Sequence, residues 1–578
     1  MWYSKAILAV FCVILVDLTL GGTSDTLKVQ LNHGGVLIGR HMETAKGRHI
    51  RSFLGIPYAK PPLDDLRFKS PVPYPSWEGV KLAVKDSAVC PQIDQMQGSI
   101  LTGNEDCLYI NVYTPPLDAI KKASGKLPVM VYIHGGGWSM GSGAPELYGP
   151  EYFMEHDVIL VIGNYRLGAL GFLSAETVEY PGNYGLKDQL EILKWVQNHI
   201  SSFGGDKDSV TIFGESAGGG SVSHHLQSPK SKGLFHRAIQ QSGTIFNPWA
   251  YPKNKGDAAK NALKLANLFK CDVEGENWTT IIECLRKIDA LELAQAEPAF
   301  YEWLAYPSCT FAPVLEPEHP EAFLDHLPRD TGVNSLDIPV MMGIVSDEGL
   351  LGTAPFLGIP DLLKELQSKA TEMLPMMFFY RHLKPEQQTL VTKEIEGFYL
   401  KNGHSYEKSN HRNFTDLFSD AYFTAGFDEY LEKRLTQEST TTYVYVYDHR
   451  PAGSLTNLMG GGDESLGVCH ADELALLFPV GKLLFPTGVP TEKDILLREA
   501  MVTMWVNFAT YGNPTPSGST FKWEPTTKYP WNYARLGSQD LDNWYILQNE
   551  DNYARDRFDF WRNLRVILEN GKNLKDEL

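Results

Sequence analysis

The chain has 578 residues, of which 43% are hydrophobic and 21% charged, with 51 glycines and 35 prolines spread along it rather than banked in repeats. That composition is globular and excludes a disordered, collagen-like or solenoid chain. With 52 Lys plus Arg against 70 Asp plus Glu, the net charge is −18, so a nucleic-acid backbone or an anionic membrane meets repulsion, and no nucleic-acid partner is expected.

The first residues read as a secretory signal: Lys5 supplies the positive start, Ala6 to Val16 is an eleven-residue apolar run, and Gly21, Gly22, Thr23 and Ser24 offer a cleavage region. A spanning helix needs about 20 apolar residues and Asp17 interrupts this run, so residues 1–22 are expected to leave as a signal peptide. No other segment is long and apolar enough to give a stable membrane span. Residues 23–574 then read as one large domain, because no Gly/Ser-rich or charged linker divides them.

Before Leu127 the Gly- and Pro-punctuated stretch with Ile56-Pro57-Tyr58 and Pro61-Pro62 predicts antiparallel strands and loops. Strands are expected over Leu127–Ile133 and Val158–Gly163, a helix over Asp188–Ile200, and a strand over Val210–Phe213 followed by a helix from Ala217. The alternation continues with a strand at Arg237–Gln240, a helix at Asp257–Phe269 and a strand at Ile338–Val345. Later come a strand at Thr442–Tyr447, a helix at Leu497–Thr510, a strand at Tyr545–Gln548 and a helix at Phe558–Leu568. This is the grammar of an α/β fold, a mostly parallel sheet flanked by helices. Residues 355–440, rich in helical patterns, are either a long insertion or a second lobe.

The sharpest motif is Gly214-Glu215-Ser216-Ala217-Gly218, a G-x-S-x-G sequence between the strand at Val210 and a helix. A strand-to-helix turn of that kind needs glycines on both sides, so that the backbone can crowd together and push the serine hydroxyl outward. About eighty residues upstream, His134-Gly135-Gly136-Gly137 follows a strand, where an oxyanion-hole loop belongs. The amides of Gly136, Gly137 and Ala217 can surround the oxyanion of a tetrahedral intermediate, each donor being worth roughly 3 to 4 kcal/mol there. A serine needs a general base, and the base an acid to orient it, in the chain order Ser, acid, His. Among 16 histidines and 70 acids order alone selects neither, but Ile344 to Gly349 and Gly467 to His470 place carboxylates and a histidine in loops after sheet or Gly-rich segments. Glu215 and Trp138 flank the motifs and are read as either substrate-binding or structural. The alternating Tyr443, Tyr445 and Tyr447 read as strand packing, and His224-His225 as helix-surface or core residues.

With Glu105-Asp106-Cys107-Leu108-Tyr109-Ile110-Asn111-Val112, Phe53-Leu54-Gly55-Ile56-Pro57-Tyr58-Ala59 and Asp347-Glu348-Gly349, these motifs resemble the type-B carboxylesterases, the carboxylesterase and cholinesterase family of α/β-hydrolases, over nearly all of the chain after the signal. The resemblance implies the α/β-hydrolase fold, Ser216 as nucleophile, Glu348 as acid and His470 as base. It also implies Ser242 supporting the acid, disulfides Cys90 to Cys107 and Cys271 to Cys284, and no metal or organic cofactor. Cys309 and Cys469 are left over as small side chains, and Cys12 leaves with the signal. Departures narrow the reading. Pro91 to Asp106 holds no tryptophan to stack on a quaternary ammonium, so a choline ester is not expected; Glu215 stands where juvenile hormone esterases usually carry Gln. The expected activity is hydrolysis of small-molecule carboxylic esters over a broad range of xenobiotic or lipid esters, with a more specialised lipid-ester esterase or a non-catalytic lumenal binding protein as the alternatives.

The chain ends Lys575-Asp576-Glu577-Leu578, the retrieval signal read by a receptor of the endoplasmic reticulum. With the entry signal it places the protein in that lumen, an oxidising space that suits the cysteines and makes Asn277-Trp278-Thr279 and Asn413-Phe414-Thr415 glycosylation acceptors. Deleting residues 575–578 should move the protein from cells into the medium, read by immunoblot of both fractions; unchanged retention contradicts the retrieval reading.

Overall fold

Strands covered on both faces need apolar side chains at every position rather than alternation, and Leu127–Ile133, Ile159–Gly163 and Val340–Val345 meet that demand over their whole length. The structure is a computed structural model that describes residues 27–570 apart from 253–254, 328–336, 401–405, 437–440, 460–464 and 486–487. The signal segment 1–22, the tail 575–578 and Gly460 to Gly462 lie outside the described residues. The strands in chain order are β1 (Lys28–Gln30), β2 (Val36–Ile38), β3 (Arg40–Glu43), β4 (His49–Pro57), β5 (Val80–Leu82), β6 (Gln92–Asp94), β7 (Ile100–Thr102), β8 (Tyr109–Thr114), β9 (Leu127–Ile133), β10 (Ile159–Gly163), β11 (Gly205–Glu215), β12 (Arg237–Gln241), β13 (Val340–Val345), β14 (Thr442–Tyr447), β15 (Asn532–Leu536) and β16 (Leu547–Asp551).

The central sheet has the order β16-β15-β14-β13-β12-β11-β9-β10-β8-β4-β3. From β10 to β15 every neighbouring pair runs parallel, while β8, β4 and β3 at one edge and β16 at the other run antiparallel to their neighbours. Period-two alternation divides the central strands between two cores. Val129, Val131, Val444 and Val446 pack on one side, and Met130, Tyr132, Tyr443, Tyr445 and Tyr447 on the other. The tyrosine string is strand packing, as its period implies.

The second core is closed by the helix Glu492–Tyr511. Its start is capped reciprocally, the Asp494 amide donating to Thr491 Oγ1 at 3.1 Å and the Thr491 amide to the Asp494 carboxylate at 2.7 Å, and it ends on Gly512 at φ +69°. The helices Leu350–Gly358, Pro360–Met377, Pro385–Tyr399, His411–Ser419 and Ala425–Leu435 occupy the stretch from 350 to 435, and their Leu366, Val391, Phe414 and Tyr430 belong to the same core as Val340 and Val446.

Several boundaries move. The helix expected from Asp188 begins at Tyr184, and β11 begins at Gly205, across an irregularity between Gly205 and Val210. The edge strand expected at Tyr545–Gln548 runs instead from Leu547 to Asp551, and its partner β15 was not expected. Both are set by main-chain pairing at the edge of the sheet, which hydrophobic patterning does not register. Before Leu127 the strands pair antiparallel, apart from β2 with β5.

Two disulfides join Cys90 to Cys107 and Cys271 to Cys284, with Cα atoms 5.1 and 5.8 Å apart; Cys309 and Cys469 take part in neither. No described helix is long and apolar enough to cross a membrane. Behind β10, Arg166 makes a two-pronged contact with Asp188 of the helix Tyr184–His199, Nε and Nη2 each 2.7 Å from a carboxylate oxygen, with side chains only 3% and 0% exposed. Truncating one member strands a buried charge, so Asp188→Ala should cost about 3–5 kcal/mol, measured as a fall in the urea midpoint at unchanged slope.

Candidate active site

Ser216 sits between β11 and the helix Ala217–Gln227 at φ +58°, in a region that L-residues adopt only when the surroundings force it. The surroundings do. A Cβ on Gly214 would lie 2.5 Å from the Ile133 carbonyl oxygen, and one on Gly218 2.0 Å from the same atom, so either side chain would collide with the end of β9. The Ser216 amide donates to the Gln241 carbonyl at the end of β12 at 2.8 Å, and its carbonyl accepts from Gly220 at 2.8 Å, which fixes the elbow.

The glycine turn after β9 lies against this elbow: a Cβ on Gly135 would stand 3.2 Å from Ser216 Cβ. Gly136 and Gly137 have φ of +102° and +62°, which leaves their amides free of the local ladder; among the described residues neither amide N–H donates to a backbone carbonyl. Ala217 is the first residue of its helix, where amides have no intrahelical partner. Trp138 is fully buried with its indole N–H donating to Ser221 Oγ at 3.0 Å, among Phe172, His224 and Trp249. Its role is structural, a floor under the turn. His224 and His225 are core residues, bonded to the Ala250 carbonyl and to Ser231 and Gln189.

His470 reaches the same place from the loop after Gly467. Its Nδ1 lies 2.6 Å from Glu348 Oε2, and Glu348, wholly buried, accepts the Val345 amide on its other oxygen at 3.0 Å. The neighbouring Asp347 accepts the Val468 amide at 2.9 Å, tying the histidine loop to the end of β13. The far nitrogen, Nε2, lies 3.0 Å from Glu215 Oε1, a charge contact without hydrogen-bond alignment. Phe423 covers the ring, centroid to centroid 4.4 Å. Burial alone pulls the imidazole pKa down, but the facing carboxylates of Glu215 and Glu348 overcome it and hold the pKa well above 6.5.

Ser242 lies close by at φ +49°, yet its buried hydroxyl has no hydrogen-bond partner, so the support of Glu348 implied for it is not made in this arrangement. Glu473, three residues past His470, was not singled out from the sequence. It is wholly buried, accepts from Gln241 Nε2 at 3.2 Å, and is driven toward its neutral form by burial and by Glu215 and Glu348. Its spacing from His470, one helical turn, was the available signal. No group of three or more His, Cys, Asp or Glu side chains among the described residues is placed to hold a metal ion.

Ser216, His470 and the glycine turn open into one cavity of about 790 Å³. Trp249, Phe356, Phe418, Tyr422 and Phe423 form one wall; the hairpin pinned by the Cys90 to Cys107 disulfide contributes Gln92, Gln95 and Met96 to another.

Residues 25–561 match the model of the carboxylesterase family. The chain belongs to that family. It is a carboxylic ester hydrolase of α/β-hydrolase fold. A juvenile hormone esterase of Tribolium castaneum is 37% identical over 83% of each chain, and esterase FE4 of Myzus persicae 37% identical over 90% of this chain and 91% of its own. Among solved structures, juvenile hormone esterase from Manduca sexta, with OTFP covalently attached, superposes with a TM-score of 0.80 at 28% identity over 93% of this chain and 99% of its own.

Two carboxylates raise the His470 pKa, so removing one lowers it. Glu215→Gln should move the acid limb of kcat/KM to lower pH by about one unit, equivalent to about 1.4 kcal/mol of lost charge interaction, because the free imidazole then survives at pH values where the parent is protonated. An unmoved limb in the pH profile means Glu215 does not govern that ionisation.

Proposed function

We propose that this esterase works by acyl transfer through Ser216. The observation that carries the reading is that Glu348 grips one nitrogen of His470 at 2.6 Å while the other nitrogen lies at Glu215, the residue adjoining Ser216. As Ser216 Oγ attacks the ester carbonyl carbon, His470 Nε2, turned from Glu215 to the serine, takes the hydroxyl proton. The carbonyl π bond breaks and its electron pair settles on oxygen, opposite the amides of Gly136, Gly137 and Ala217. Collapse re-forms the carbonyl and expels the alcohol, which takes the proton from His470. Water then attacks the acyl-enzyme through the same imidazole, freeing the acid and restoring Ser216. Glu348 remains ionised throughout, fixing the tautomer and balancing the imidazolium.

The cavity supports a broad range of lipophilic esters, since its volume suits a drug-sized ligand and its walls are mainly aromatic and aliphatic. Two likenesses carry the name juvenile hormone esterase, but esterase FE4 is equally similar to this chain, so the names do not select that substrate. The lumen of the endoplasmic reticulum is the proposed location, supported by the terminal tetrapeptide, the signal-like start and the two disulfides. Glycosylation there is proposed at Asn277, which is exposed at the start of the helix Trp278–Leu285, and at Asn413.

Ser216→Ala should lower turnover of p-nitrophenyl esters on the order of 10⁴-fold or more and abolish the pre-steady-state burst. Circular dichroism should be unchanged, because the removed hydroxyl stands at an elbow open to the cavity. A surviving burst would place the nucleophile elsewhere.

A further inference from the structure

Four buried carboxylates in this protein are matched by basic side chains: Asp188 by Arg166, Glu316 by Lys187, Glu105 by Arg67 and Asp420 by Arg557. Glu297 has no such match among the described residues. It stands, partly buried, on the short turn Glu297–Phe300 and lines the ester cavity near the hydroxyls of Ser139 and Tyr301, with Gln95 near Tyr301 in turn. All four side chains line the cavity, and among the described residues no Lys or Arg does. Among the described residues no basic group offsets the Glu297 charge, and burial pushes its pKa up to about 7 against the pull of the two hydroxyls.

Such a group is costly in a mainly apolar chamber unless something entering the chamber pairs with it. Its position is also specific. Ser139 closes the glycine turn, its amide donating to the Gly136 carbonyl at 3.1 Å, so the polar cluster adjoins the amides proposed to receive the oxyanion.

We infer that Glu297, with Ser139, Tyr301 and Gln95, forms a polar subsite that takes a hydrogen-bond donor on the ester, a hydroxyl or an ammonium group, and so sets substrate preference. The inference rests on the acyl-transfer reading and names part of the substrate class. Against the aromatic and aliphatic walls such a donor would go unpaired and lose affinity; at Glu297 it gains a charge-assisted bond.

The test is a matched set of butyrate esters of benzyl alcohols carrying methyl, hydroxymethyl, aminomethyl or carboxyl groups, para and meta, hydrolysed by the full chain and by Glu297→Gln. In the parent, kcat/KM for the better aminomethyl isomer should exceed that of its methyl counterpart at least fivefold, hydroxymethyl should fall between them, and carboxyl should be at least tenfold below methyl. Glu297→Gln should cut the aminomethyl-to-methyl ratio at least tenfold, and Tyr301→Phe should cut it less. An equal ratio in parent and Glu297→Gln overturns the subsite. If that variant does not fold, the parent series decides alone, and aminomethyl esters no better than methyl in either geometry overturn it. Hydrolysis of the methyl ester without any such preference leaves acyl transfer standing and sinks only the subsite; failure to hydrolyse any of the set sinks both.

Discussion

Everything at the site depends on one backbone constraint, the turn that holds Ser216 at φ +58° between β11 and its helix. A residue in that region costs of order 1–3 kcal/mol and persists only where packing over-determines it. Here the over-determination is visible: Gly214 and Gly218 are each pressed against Ile133 of β9, and β12 holds the Ser216 amide. Parallel neighbours on both sides are what make this possible, because they bring the carboxyl ends of β9, β11 and β12 to one edge of the sheet. The glycine turn after β9 then falls beside the serine without any further device.

The second dependence is electrostatic. His470 is enclosed by Glu348 and Glu215, with Glu473 behind them. Three carboxyls around one imidazole cannot all carry charge in a buried pocket, and the molecule resolves this by leaving Glu473 toward its neutral form while the imidazole is stabilised as a cation. The arrangement favours the charged histidine that acyl transfer creates, and it makes the resting base harder to deprotonate. Both effects come from the same two contacts.

Much of this was legible in the residues. Leu127–Ile133 and Thr442–Tyr447 occupy the expected positions to the residue, because fully buried strands have abrupt apolar boundaries. G-x-S-x-G and the glycine triplet announced the elbow and the turn, since each needs backbone freedom that only glycine supplies. Glu348 and His470 were reached through family resemblance; their local sequence says only that a carboxylate and a histidine follow sheet or Gly-rich segments. Glu473 had only its three-residue spacing from His470 to mark it and Glu297 had nothing, because what distinguishes both is a lack of Lys or Arg partners in space among the described residues, and no linear pattern encodes that. For Trp138, read as either substrate-binding or structural, the structure decides for the latter: the ring is fully buried and its indole N–H is bonded to Ser221.

The lack of Lys or Arg around the cavity has a bearing on the end of the catalytic cycle. Ester cleavage turns a neutral molecule into an acid that is an anion at neutral pH. That anion is released among Asp94, Glu146 and Glu215, and among the described residues no Lys or Arg lines the chamber to anchor it. The acid half forms last, after the alcohol has already left the acyl-enzyme, and on its way out it meets facing carboxylates rather than a basic clamp.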